Sequence, residues 1–270
     1  MYPLRIVAVA VLGLAPVAGA DRALGQPLPG DYAILGQERT SLRVGVRVTG
    51  AAGTVAGTLV LGNHVQVNGS VAADIVRLGS DAGAGRFFCR FVILSRGGGV
   101  VGGPVVGGGP TLLAPIAVVP GATDLRVPGR TGSAPMPAAS YRDVVVGRGA
   151  LLQLAGGSYA ARSIRVAPTG RLVCIDTCRI GVLERVVLAP RAELGAGAPL
   201  RANRVRVDVA ASTGRRAFRA GARAATAATI FAPSGTLVLG PRGSYRGAFI
   251  GRTITVGPSA TLREDSAFGS

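Results

Sequence analysis

The sequence predicts an all-β protein, a right-handed β-solenoid (β-helix) with about 17–22 residues per coil, interrupted by a Gly/Pro-rich insertion. Three observations predict it. The composition favours short strands joined by tight corners, a turn motif recurs at coil-length intervals, and apolar residues alternate with others between the motifs.

The chain has 270 residues, of which 48% are hydrophobic, enough to bury a sizeable core. That content is mainly Val, Ala and Leu. Aromatics make up 4% and Trp is absent, while 42 Gly and 17 Pro give the backbone many places to turn. Val-rich segments cut up by Gly and Pro suit strands better than long helices.

The motif is a large apolar residue, then Gly or Ala, often Pro, any residue, Gly or Ala, any residue, and Leu or an equivalent. It reads Val166-Ala167-Pro168-Thr169-Gly170-Arg171-Leu172, Leu188-Ala189-Pro190-Arg191-Ala192-Glu193-Leu194 and Val256-Gly257-Pro258-Ser259-Ala260-Thr261-Leu262. Residues 231–237 and 239–245 match as well, and residues 146–152 match with Arg148 in place of Pro. Copies starting at Val146, Val166 and Leu188 lie 20 and 22 residues apart, and those at Leu239 and Val256 lie 17 apart. Gly57-Thr58-Leu59-Val60-Leu61-Gly62 is identical to Gly235-Thr236-Leu237-Val238-Leu239-Gly240, and 17 residues later come Val76-Arg77-Leu78-Gly79 and Ile254-Thr255-Val256-Gly257.

A period of this length fits one solenoid turn of two or three strands plus corners. One coil cannot bury its inner face alone, so coils stack. In Val144-Val145-Val146, Ile164-Arg165-Val166 and Val205-Arg206-Val207 the flanking residues point one way and the middle residue the other, which gives an Arg-bearing outside. A β-sandwich also has closely spaced strands, but it does not need one turn chemistry at fixed intervals.

By this reading residues 1–20 are a signal peptide, 21–96 N-terminal coils, 97–140 a Gly/Pro-rich insertion or irregular coils, 141–265 C-terminal coils and 266–270 a tail. The leader has Arg5, an apolar run from Ile6 to Val17, and Ala18-Gly19-Ala20 as a small-x-small cleavage pattern. The run falls short of the roughly 20 residues that cross a bilayer. The mature chain is therefore expected to have no transmembrane segment and to be secreted, periplasmic or at the cell surface. Residues 97–110 lack the Gly-Lys-Ser/Thr ending of a phosphate loop.

Thirty basic residues stand against thirteen acidic ones, a formal charge of +17, and every basic residue is Arg. Two readings stand side by side. A GC-rich genome favours Arg together with Ala, Gly, Pro and Val; alternatively, the charge serves an anionic partner such as acidic polysaccharide or another cell-surface polymer. The densest cluster, Arg215, Arg216, Arg219 and Arg223, reads as a solvated loop, an anion-binding excursion, or a short helix with Arg at i, i+4. With Arg165 and Arg206 from the alternating triplets, these are the anion-binding candidates. Phe218 alone gives no base-stacking platform, which together with export argues against nucleic acid.

Cys174 and Cys178 flank a three-residue segment that can bend enough for a local disulfide in an oxidising compartment, leaving Cys89 buried or open to an intermolecular bond. No cofactor or metal is expected: zinc needs about four ligands, and the one His, His64, reads as an ordinary strand residue. No catalytic set is expected either. The thirteen carboxylates are scattered, and neither Asp74 with Asp81 nor Glu264 with Asp265 suggests a cleft.

Asp31-Tyr32-Ala33-Ile34-Leu35-Gly36, followed by Val46-Arg47-Val48-Thr49-Gly50, resembles the start of exported bacterial solenoids related to ice-binding and adhesin-like surface proteins. The coils at Val65-Gln66-Val67-Asn68-Gly69-Ser70-Val71 and at residues 247–256 are similar to bactofilins, which polymerise end to end. The first resemblance implies a noncatalytic binding surface, and the second implies homo-oligomers made by coil stacking. Ice binding needs a flat array of small hydroxyl residues, and the Arg-bearing strands argue against one. The expected function is a noncatalytic exported solenoid, structural or adhesive, that binds acidic polysaccharide or assembles with itself. The alternatives are a polysaccharide lyase or hydrolase on a β-helix and a bactofilin-like filament scaffold.

Overall fold

A computed structural model of the protein describes residues 32–95, 104–105, 116–212 and 214–265. The chain is a β-solenoid of about eleven turns whose strands join in one parallel sheet. The expected signal peptide and tail lie outside the described residues.

Each full coil has three walls. The strand Gly157–Val166 shows how: a register shift between Ala161 and Ser163 bends it, so residues 157–161 lie in the first wall and 163–166 in the second. After a tight corner the short strand Arg171–Cys174 forms the third wall. Alternation decides which side chains enter. Tyr159, Ala161, Ile164 and Val166 are buried, while Ser158, Arg162 and Arg165 face solvent.

The repeat copies occupy equivalent places in successive coils. Val146 lies beside Val166 and Val166 beside Leu188; Leu239 lies beside Val256 and Leu61 beside Leu78. These residues share one apolar interior. Thr40 is the polar exception inside the second wall, and its hydroxyl donates to the Gly53 carbonyl at 2.9 Å.

Three local expectations are corrected. Residues 231–237 match the turn motif but sit at the bulge between the first and second walls, where the register shifts between Ala232 and Thr236. The Arg-rich segment forms no helix but the strand Arg216–Ala220, because Phe218 and Ala220, two apart, fill the core slots beside Val186 and Leu188. His64 is a left-handed corner residue (φ 56°), not a strand residue.

Spatial order differs from chain order. The strand Tyr32–Leu42 pairs with Phe249–Val256 of the last C-terminal coil, so Leu42 sits between Val256 and Leu61. The insertion therefore joins the two outer ends of the stack and does not separate two blocks. At one end Pro104–Val105 lies beside Phe87 and Phe88; at the other Leu125–Val127 lies beside Val144 to Val146. Pairing the two inner edges satisfies backbone groups that each would otherwise leave open. Residues 118–123 reach the terminal coil along the outside of the first wall: a Cβ on Gly181 would lie 3.2 Å from a Val118 methyl, and the Gly121 N–H donates to Tyr141. Among the described residues no helix is long and apolar enough to cross a membrane.

Candidate anion-binding corner

Between the second and third walls each of the ten described corners contains one left-handed residue. In stack order these residues are Arg130, Gly149, Thr169, Arg191, Arg223, Arg242, Ser259, Gly45, His64 and Asp81, with φ between 55° and 66°. Their amides bond from coil to coil: the Arg191 N–H donates to Ala222, Arg223 to Pro241 and Arg242 to Pro258, at 2.9–3.0 Å. The corners stack so closely that a Cβ on Gly257 would lie 2.6 Å from the Pro241 nitrogen. This is what the repeated Gly/Ala-Pro-x-Gly/Ala motif encodes: Pro sets the turn and the residue after it takes the left-handed conformation.

A left-handed backbone costs an L-residue about 1–2 kcal/mol, and glycine is its default occupant. Three successive coils nevertheless carry Arg191, Arg223 and Arg242, stacked about 4.8 Å per step with like charges adjacent. Arg130 holds the same position further along the column, and Arg148 and Arg43 stand one and two residues before it in other coils, so that the six, interrupted at Thr169 and Ser259, are spread over eight coils, or about 34 Å. All six are exposed, and none makes an ion pair among the described residues. The first acid at the corner is Asp81, at the far end, 3.4 Å from His64 Nδ1.

Seven other described arginines make ion pairs, five of them between coils. Asp124 accepts from Arg142 at 2.8 Å and from Arg126 at 3.1 Å, and these guanidiniums hold its carboxyl well below the usual carboxylate range. Asp143 is held low by Arg162, with Ser163 Oγ adding a hydrogen bond at 2.8 Å. Arg171 meets Glu193 at 2.6 Å, and Arg252 meets Glu38 at 2.8 Å. Five acids scattered in sequence, Glu38, Asp124, Asp143, Glu193 and Asp208, are thus cross-coil partners of arginines, three of them about one coil length away.

The six arginines singled out from sequence are not brought together. Arg206 lies on the first wall; with Arg179 it grips the buried Asp208, at 2.7 and 3.0 Å, and it stacks 5.0 Å from the Phe231 ring. Arg165 and Arg219 point outward from the second wall, with Val187 between them. Arg216 starts that wall beside Thr236, and Arg215 precedes it. Only Arg223 belongs to the corner. Sequence reading missed its neighbours Arg191 and Arg242, whose signal was their shared place after Pro in two motif copies.

Cys174 and Cys178 form the expected disulfide, with Cα atoms 6.2 Å apart. Cys89 is buried, and desolvation pushes its thiol up. On the second wall, four adjacent coils present Thr236 and Val238, Thr253 and Thr255, Arg39 and Ser41, and Thr58 and Val60. Seven of these eight are small, so the Arg-bearing strands flank this patch more than they fill it.

No family model matches the chain, and no curated protein matches it. Among solved structures it is similar to an ice binding protein from an Antarctic biological consortium, at a TM-score of 0.48 and 10% identity, covering 94% of this chain and 96% of that one.

Proposed function

We propose that this protein is an exported, noncatalytic binding surface for linear anionic polymers, acidic polysaccharide being the ligand class, and that the polymer lies along the Arg corner. The observation that carries the reading is the row Arg191, Arg223, Arg242. Three consecutive coils accept backbone strain and charge repulsion at positions where Gly149 and Gly45 serve elsewhere in the same column. A polymer with a charge on each repeat unit engages several coils at once and releases its counterions in doing so. The cross-coil pairing of carboxylates such as Asp124 and Asp143 favours a noncatalytic surface, and the Cys174–Cys178 bridge fits an oxidising compartment.

The triple substitution Arg191→Gly, Arg223→Gly, Arg242→Gly tests this without threatening the fold, since glycine suits the left-handed corner. Polygalacturonate affinity should fall about tenfold or more, and the slope of log affinity against log salt should drop by roughly 2–3. The melting temperature should stay level or rise. Unchanged affinity in the folded variant would remove the corner from the account.

The second-wall patch favours one further reading, adsorption to ice, because its Thr, Ser and Val side chains repeat at strand spacing over four coils. Inhibition of ice recrystallisation by the mature chain, abolished by Thr255→Arg, is the expected result. Equal inhibition by that variant, or none by the parent, ends this reading.

A further inference from the structure

Leu188 and Ala220 occupy neighbouring coils but lie 32 residues apart, against 16–22 at the other steps of the same column. Part of the surplus is an excursion. After the third-wall strand Glu193–Ala196 the chain leaves the sheet at Gly197, passes the cis Ala198–Pro199 bond, makes one 3-10 turn at Ala202–Arg204 and re-enters as Val205–Val209. Leu200 packs against the core and Ala202 is buried, which fixes the excursion in place. Its far end is pinned three coils along, where the Ala202 N–H donates to Asp265 Oδ2 at 2.7 Å.

Beneath this roof is a cleft of about 590 Å³. The third-wall column under it runs Gly195, Ala227, Arg246, Arg263 on adjacent coils, so small residues at one end open space beside two guanidiniums at the other. Arg201 on the roof adds a third, and Glu264 and Asp265 stand at the pinned end. Arg201, Arg246 and Arg263 make no ion pair among the described residues.

We infer that this cleft is a second binding site, distinct from the corner, for a single acidic sugar unit of the uronate type. Guanidiniums fix a carboxylate through paired N–H donors. Asp265, whose Oδ2 holds the Ala202 N–H, can offer its second oxygen to a sugar hydroxyl, which a bare anion does not have. The contact between Ala202 and Asp265 closes one end, so the cleft takes a terminal or free unit, whereas the open corner can follow a running chain.

The test is titration of the 15N-labelled mature protein with D-galacturonate, D-galactose and inorganic phosphate. Galacturonate should shift the amides of Ala202 and Ala227 and bind about tenfold or more tightly than galactose, tenfold being the scale of one charge-assisted contact. Phosphate should bind more weakly than galacturonate. The double variant Arg246→Gln, Arg263→Gln, both on an exposed sheet surface, should keep its melting temperature and lose galacturonate binding at least about tenfold. The corner triple variant should bind galacturonate like the parent, which keeps the two sites' failures apart. Galactose binding as well as galacturonate, phosphate binding as tightly, an unaffected double variant, or no shifts at these amides would each overturn the assignment.

Discussion

The four coils of residues 32–95 and the seven of residues 121–265 use the same corner and the same alternating walls, yet they are held and decorated differently. The N-terminal coils advance by 19, 17 and 16 residues from Leu42 through Leu61 and Leu78 to Leu94, with no excursion. Within them, apolar packing and the backbone ladder dominate, and one exposed pair, His64 with Asp81, joins adjacent corners. The C-terminal coils carry the cross-coil pairs of Asp124, Asp143, Glu193 and Asp208, the disulfide, and the roofed cleft. Their left-handed corner positions hold Arg in four cases of seven, whereas the N-terminal coils place Gly45, His64 and Asp81 there. On the proposed reading the C-terminal corner meets the polymer, and the N-terminal coils extend the stack beside it.

That division has a seam, and breaking it has the largest expected effect. Leu42 is fully buried between Val256 and Leu61, one residue in each region. Leu42→Asp puts an unpaired charge into that joint and should cost about 3–5 kcal/mol in urea unfolding, with the N-terminal coils detaching first. Leu94→Asp, on the half-exposed outer coil, should cost under about 1 kcal/mol. Equal losses for the two variants would mean that the regions do not meet at Leu42.

The coil itself was legible in sequence because its signal is local. Val146, Val166 and Leu188 sit at one phase of a period-2 pattern, and the phase fixes which side chains enter the core. The seam was not legible, since alternation says which face of a strand turns inward and nothing about which strand lies alongside. Nor were the ion pairs: Asp143 and Arg162 are 19 residues apart, and only the coil length makes them neighbours. The corner row was half visible. The motif marks the turn but leaves the residue after Pro free to vary, and its left-handed conformation shows only in the coil. The cluster from Arg215 to Arg223 misled for the opposite reason. Neighbours in sequence are dispersed by a coil, which sends Arg219 to the second wall and Arg223 to the corner. The cleft was hidden because a 32-residue coil carries no repeat signature of its own.

The smallest expected effect comes from changing connectivity while keeping every described contact. The Glu264 N–H donates to the Thr49 carbonyl at 2.8 Å, and Arg263 pairs with Thr49, so the chain at residue 264 stands where the first wall of the next coil begins. That wall is the strand starting at Tyr32. A circular permutant that begins at Thr111, runs to Asp265, crosses a Gly linker of about three residues to Tyr32 and ends at Pro110 would follow the solenoid's spatial order. Its urea stability should lie within about 1 kcal/mol of the parent, because loop-closure entropy varies slowly with length and no strand pair is lost. Its polygalacturonate affinity should be unchanged, since the corner arginines keep their coils. A permutant that folds but loses several kcal/mol would show that the tie between the outer ends stabilises the stack, and the two regions would then depend on each other through more than the Leu42 seam.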